Sequence, residues 1–229
     1  MGGGFRRRAG QAGVIIDHRA FILQHTRLQR PPHAPELELY LASEIEPIWR
    51  STEEALQQTG LEPPFWAFAW AGGQALARYL LDHPEEVRGR RVLDFATGSG
   101  IVAIAALMAG AAEALGADVD AFCAAAVDLN CQANGVRAGF IGEDLLLAEP
   151  PDVDVICAGD ICYEWPLADR VRHWLEAAHR RGTRVLIGDP GRAYLPRDGL
   201  ASLAAYDIET TRELEDREVR RTGVFTFAT

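Results

Sequence analysis

Four aspartates each stand where a short apolar run ends, and these are the residues of the chain best placed to do chemistry. Asp94 lies near the end of RRVLDFA, Asp118 follows AEALGA, Asp144 follows FIGE, and Asp160 follows the glycine that ends DVDVICAG. In an α/β sheet the carboxyl ends of strands face the crevice where ligands bind, so acids at these points are candidates for polar ligand contacts. Between the first two lies ATGSG, residues 96–100, in which Gly98 and Gly100 let the backbone approach a ligand with no side chain in the way. The turn lacks the Gly-Lys-Ser/Thr of a nucleoside triphosphatase, and its spacing departs from the dinucleotide fingerprint.

A carboxylate beside such a turn would repel a pyrophosphate but can hold an ammonium through charge-assisted bonds. Asp94 therefore points to S-adenosylmethionine, whose amino acid end is cationic. Asp118, 24 residues further on, is placed to accept both ribose hydroxyls. The plain alternative is a helix cap, since Asp118 or Asp120 could cap AFCAAAV; the ribose role goes to Asp118 and the cap to Asp120. Asp144 is offered to the adenine amino group, with an exposed loop acid as its alternative.

The elements that must position these residues follow from pattern. From residue 90 onward apolar runs of strand length alternate with longer helical segments, as in RRVLDFA, then GSGIVAIAALMAGA, AEALGADVD and AFCAAAVDLNCQANG. VRAGFIGED, DVDVICAGD and TRVLIGDPGR continue the strands, and PLADRVRHWLEAAHRRG is a helix stopped at Gly182. This alternation predicts an α/β fold, a mostly parallel sheet with helices on both faces. The tail, LAAYDIETTREL and REVRRTGVFTFAT, reads as two antiparallel strands joined by a charged hairpin. Upstream, ELELYLAS alternates like a short strand, and 47–58 reads as a helix with Gly60 as its stop. QALARYLLDHP is an amphipathic helix ended by Pro84. Residues 1–33 are expected to be flexible, and 34–229 to form one domain with an annex at 34–60.

Composition excludes several classes. The chain has 229 residues, 48% hydrophobic and 24% charged, and a formal net charge of −10, which argues against a general nucleic-acid binder. Its most apolar stretch is broken by glycines and Asp94, so no membrane span is expected. Every basic side chain other than histidine is arginine; with no lysine at all, the protein cannot modify lysines of its own. The four cysteines lack zinc-site spacing and read as reduced core residues of a bacterial cytoplasmic protein. An arginine-rich start leaves a transit peptide to the mitochondrial matrix as the alternative.

VLDFATGSG, GADVD, GED and DVICAGDICYE, in this order, resemble the seven-β-strand S-adenosylmethionine-dependent methyltransferases, a Rossmann-like class whose sheet carries an antiparallel C-terminal strand. The Asp-x-x-Tyr at 160–163 is similar to the signature of a group of protein lysine methyltransferases. PPFWAFAWAGGQALARYLLDHPEEVRG, DICYEWPLADRVRHWL and RVLIGDPGR narrow the resemblance to the electron transfer flavoprotein β-subunit lysine methyltransferases. It runs from about Arg19 to the C-terminus. Ala96 departs from the glycine usual there, and GVFTFAT lacks an aromatic expected beside a bound peptide.

The resemblance implies S-adenosylmethionine as cofactor, S-adenosylhomocysteine as product, the flavoprotein β subunit as protein substrate, no metal, and a monomer. It implies cofactor contacts from Trp66, Trp70, Asp94, Ala96, Thr97, Gly98, Gly100, Asp118, Val119, Asp144, Leu145 and Gly159, with Trp66 and Trp70 covering the methionine part. Both tryptophans could instead be core aromatics. Catalysis would fall to Asp160, holding the incoming amine, and Tyr163, walling the lysine channel. The alternative makes Asp160 the N-cap of the following helix and Tyr163 a packing residue in its first turn. Asp189 is read as part of a plain turn. Rival functions are methylation of another protein such as a ribosomal stalk component, methylation of a small amine, a non-catalytic cofactor-binding protein, and a dinucleotide oxidoreductase.

Overall fold

The computed structural model describes residues 16–56, 63–196, 198–210 and 219–228. Its first elements are α1 (His18–His25), β1 (Arg27–Gln29), β2 (Leu39–Leu41) and α2 (Ile45–Leu56), with β1 and β2 paired antiparallel. The expectation that 1–33 is flexible is therefore corrected over 16–33. Helix α1 is capped by Asp17, which accepts from the Ala20 N–H, and it buries Phe21 and Ile22. Eight residues with little apolar periodicity do not hold a helix alone. Packing of Phe21 against Phe122 and an Arg19–Asp128 ion pair supply what local propensity lacks. Pro47 lies in the first turn of α2, where its missing N–H is harmless. The Gly60 stop, the arginine-rich start before residue 16 and the hairpin tip at 211–218 fall outside the described residues.

The rest is α3 (Ala71–Asp82), β3 (Arg91–Phe95), α4 (Ile101–Met108), β4 (Glu113–Ala117), α5 (Ala121–Ala133), β5 (Gly139–Ile141), β6 (Val155–Gly159), α6 (Leu167–Arg180), β7 (Arg184–Asp189), β8 (Leu200–Glu209) and β9 (Val219–Phe227). Seven strands form one sheet in the order β5-β4-β3-β6-β7-β9-β8. Pairs along β5-β4-β3-β6-β7 are parallel, and β9 runs against both of its neighbours. The chain builds outward from β3 to β4 and β5, then returns to lay β6 on the other side of β3. That reversal opens a crevice at the carboxyl ends of β3 and β6. Ala96 and Asp160, the residues that immediately follow those two strands, have φ of 55° and 57°, the left-handed region that side-chain-bearing residues avoid.

Strand alternation sorts the core. Val92, Val155, Cys157 and Leu186 face α3, α4 and α5, whereas Leu93, Ile156 and Ile187 face Trp174 and Leu175 of α6. A third cluster, with Ile22, Ile48, Trp66 and Phe122, seats the N-terminal elements on α5.

Candidate active site

Alternation along β3 turns Asp94 to the α4 face with Val92. There it is buried, and its Oδ2 accepts both the Thr97 hydroxyl at 2.6 Å and the Ala103 N–H at 3.0 Å. The carboxylate thus ties the glycine turn to the first turn of α4, whose start at Gly100 has no side-chain cap. Burial pushes its pKa up to about 7, against the lowering effect of the two donors. Asp94 is not among the residues that line the cavity described below; its bonds in this structure shape the loop that precedes α4. Thr97, Gly98 and Gly100 are likewise not among its lining residues.

Asp118 is braced at both oxygens, accepting the Gly98 N–H at 3.0 Å and the Asp120 N–H at 3.1 Å. Asp120 caps α5 through the Phe122 N–H at 2.8 Å, the cap role expected from sequence. Asp144 accepts the Leu146 N–H at 3.0 Å and lies 3.6 Å from the Arg170 guanidinium. A cavity of about 800 Å³ opens at the crevice, lined by Trp66, Trp70, Ala96, Asp118, Val119, Asp144, Leu145, Gly159, Asp160 and Tyr163 among the expected residues. Phe65, Phe122, Cys123, Glu164 and Arg192 also line it. Trp66 is a core aromatic, buried and stacked on Phe122 with ring centroids 5.3 Å apart, and it also forms part of the wall.

Asp160 does not cap the helix that follows it, which begins at Leu167 behind Pro166. It caps α3 instead, where Trp70 offers no side-chain bond: its Oδ2 accepts the Gly73 N–H at 3.0 Å. Its own N–H donates to the Gly188 carbonyl at 2.9 Å. This approach requires glycine. A Cβ on Gly72 would sit 2.2 Å from the Gly188 carbonyl oxygen, and one on Gly188 would sit 2.2 Å from that of Gly72. The AWAGG and IGDPGR segments are thus two halves of one backbone contact. Burial pushes Asp160 up to about 6, opposed by the charge of Arg192, which donates to Oδ1 at 2.8 Å.

Tyr163 is also outside α6, 46% exposed, with its ring 5.9 Å from that of Phe65. Trp70 donates its indole N–H to the Phe65 carbonyl at 2.9 Å, and the Arg192 guanidinium lies 6.0 Å from its ring centroid. Asp189 makes the expected turn, its Oδ1 accepting the N–H groups of Gly191 and Arg192, both at 2.7 Å. Arg192 is the residue that sequence reasoning passed over. Its signal was its place two residues after Pro190, beyond a strand adjacent to the one that delivers Asp160.

A family model described as ribosomal protein L11 methyltransferase matches residues 74–169. The crystal structure of magnesium protoporphyrin IX methyltransferase from Synechocystis, solved with bound S-adenosylmethionine, superposes with a TM-score of 0.50 at 17% identity, over 68% of this chain and 78% of that one. That likeness shows the fold. The electron transfer flavoprotein beta subunit lysine methyltransferase of Xenopus laevis is 40% identical over 215 residues, 91% of this chain and 86% of that protein. Its counterpart in Danio rerio is 34% identical over 97% of this chain and 88% of its own. The chain belongs to the electron transfer flavoprotein β-subunit lysine methyltransferase family. The Danio rerio match covers 97% of this chain and so extends past the end of the 74–169 match and through β7.

Proposed function

We propose that this protein transfers methyl groups from S-adenosylmethionine to lysine side chains of the electron transfer flavoprotein β subunit. One observation carries the reading: a single cavity at the switch point joins Asp118 and Asp144 at one end to Asp160, Tyr163 and Trp70 at the other. The residues fit the cofactor. Asp118 supplies carboxylate oxygens for a ribose diol, Val119, Leu145 and Phe122 supply apolar surface for a flat base, and Asp144 supplies an acceptor for an exocyclic amine. The volume lies within the range of small-molecule sites.

When bound, S-adenosylmethionine supplies a methyl group on a sulfonium that an amine can displace in line. The protein's share is positioning and exclusion of water. Asp160, fixed by Gly73 and Arg192, presents carboxylate oxygen to the N–H groups of the acceptor and disperses the positive charge that grows on its nitrogen. Tyr163 and Phe65 wall the approach with aromatic rings, leaving a long unbranched side chain as the natural occupant. An ammonium has no lone pair, so the acceptor must shed one proton before transfer.

The test is incubation with isotope-labelled S-adenosylmethionine and purified electron transfer flavoprotein, followed by peptide mass spectrometry. Because the chain contains no lysine, every methyllysine in the digest comes from the acceptor. Label on β-subunit lysines is the expected result. Label on lysines of other proteins in an extract but not on the flavoprotein would reassign the substrate, and failure to bind S-adenosylhomocysteine would overturn the reading altogether.

A further inference from the structure

We propose that Arg192 is a positioning residue that balances charge at the acceptor end of the cavity, so that the substrate lysine is held there as a neutral amine and not as an ammonium. The inference rests on the lysine-methyltransferase reading above. Arg192 and Asp160 meet at 2.8 Å with their side chains only 16% and 12% exposed, so the pair is largely withdrawn from water. The guanidinium is held from two sides, by the Trp70 ring and by a backbone turn that Asp189 fixes at Gly191 and Arg192. Among the described residues that line the cavity, Arg192 is the only cation, against the acids Asp118, Asp120, Glu143, Asp144, Asp160 and Glu164.

Without Arg192 the acceptor end would present an uncompensated carboxylate in a low-dielectric wall. Such a group favours the charged form of a nearby amine and raises its pKa above the ordinary value of about 10.4. The lysine would bind well and react poorly, its lone pair engaged by a proton. With the guanidinium in place the carboxylate still accepts an N–H, but it no longer demands a full positive charge. Arginine suits this role because it stays protonated at every working pH. A lysine there would itself be an amine that could be methylated. The titratable groups that face the pair are Asp189 from β7, Cys162, Tyr163 and Glu164 from the loop after β6, and Glu143 and Asp144 beyond β5, with Asp118 and Asp120 at the cofactor end. Burial pushes Cys162 up to about 12, so it stays neutral over the range used below.

The experiment measures kcat and KM for the protein acceptor from pH 7 to 10 with wild type and Arg192→Gln, recording melting temperature and S-adenosylhomocysteine affinity for both. For the wild type, the acidic limb of kcat is expected below about pH 9, at least one unit under free lysine. In Arg192→Gln the limb moves up by one unit or more. Its kcat at pH 7.5 falls tenfold or more and recovers toward pH 10, while KM stays level or falls. In Arg192→Ala, millimolar methylguanidine restores activity at pH 7.5. A limb that stays in place while kcat drops equally at every pH would make Arg192 a mere tether and overturn the proposal. A wild-type limb at or above pH 10 would overturn it without any variant. If the wild type methylates lysines of a different protein, the same profile is run on that acceptor. No transfer to any lysine would sink this inference together with the functional reading.

Discussion

Asp94→Asn should stabilise the protein at alkaline pH and leave it unchanged in acid. Both hydrogen bonds to Asp94 land on one oxygen, Oδ2, so a single amide oxygen can replace it for Thr97 and Ala103. What the variant removes is the ionised form of a buried carboxyl pushed up to about 7 from an ordinary 3.8. Between those values the folded protein keeps a proton that the unfolded chain has released, so this group lowers stability by about 1.4 kcal/mol per pH unit as pH rises. The loss sums to about 4 kcal/mol by pH 7 and is constant above it; relaxation around the charge brings the expected difference to about 2–4 kcal/mol. For a chain of this size that is on the order of 5–15 °C in melting temperature at pH 8, and near zero at pH 4. Asp160 and Asp120, whose carboxyls are also raised by burial, are common to both proteins and cancel in the comparison. Urea and thermal unfolding of both proteins at pH 4 and pH 8 make the measurement. An equal difference at the two pH values would refute the argument. Cofactor affinity should stay within about threefold, by the single-bond scale of such contacts; a loss of tenfold or more would return Asp94 to direct contact with the ligand.

Asp118→Ala should weaken S-adenosylhomocysteine binding by about 1.5–3 kcal/mol in calorimetry, and unchanged affinity would reduce it to a brace for Gly98. Asp160→Asn keeps an oxygen for the Gly73 N–H but removes the carboxylate charge that faces Arg192; it should destabilise by about 2 kcal/mol and cut turnover about 100-fold, and near-normal turnover would end its catalytic role. Gly72→Ala drives a methyl to 2.2 Å from a backbone carbonyl that cannot turn aside, so α3 must shift off β7. We expect loss of at least about 3 kcal/mol together with loss of turnover, and a variant melting within 2 °C of the wild type, about 1 kcal/mol or less at this chain size, would contradict the geometry.

The strand and helix order from β3 to β7 was legible because each segment's apolar run has the length and period of its element, and glycine or proline punctuates the joins. The acids at the strand ends were legible for the same reason, since an α/β sheet gathers such ends on one edge whatever else surrounds them. The cap role of Asp120 also followed from spacing, because a cap must stand immediately before its helix. Other assignments depended on contacts that spacing does not contain. Helix α1 exists because Phe122, about a hundred residues away, covers Phe21, and no local propensity records that. Asp94 and Asp160 look alike in sequence, each an acid at the end of an apolar run, yet one turns to α4 and the other into the cavity. Side-chain direction on a pleated strand reverses with every residue, and Asp94 is inside β3 whereas Asp160 lies just beyond β6, in a left-handed turn. Arg192 entered the site only when parallel pairing of β6 with β7 laid its turn beside Asp160. A one-dimensional pattern specifies which residues share an element, and the sheet order decides which ends of different elements meet.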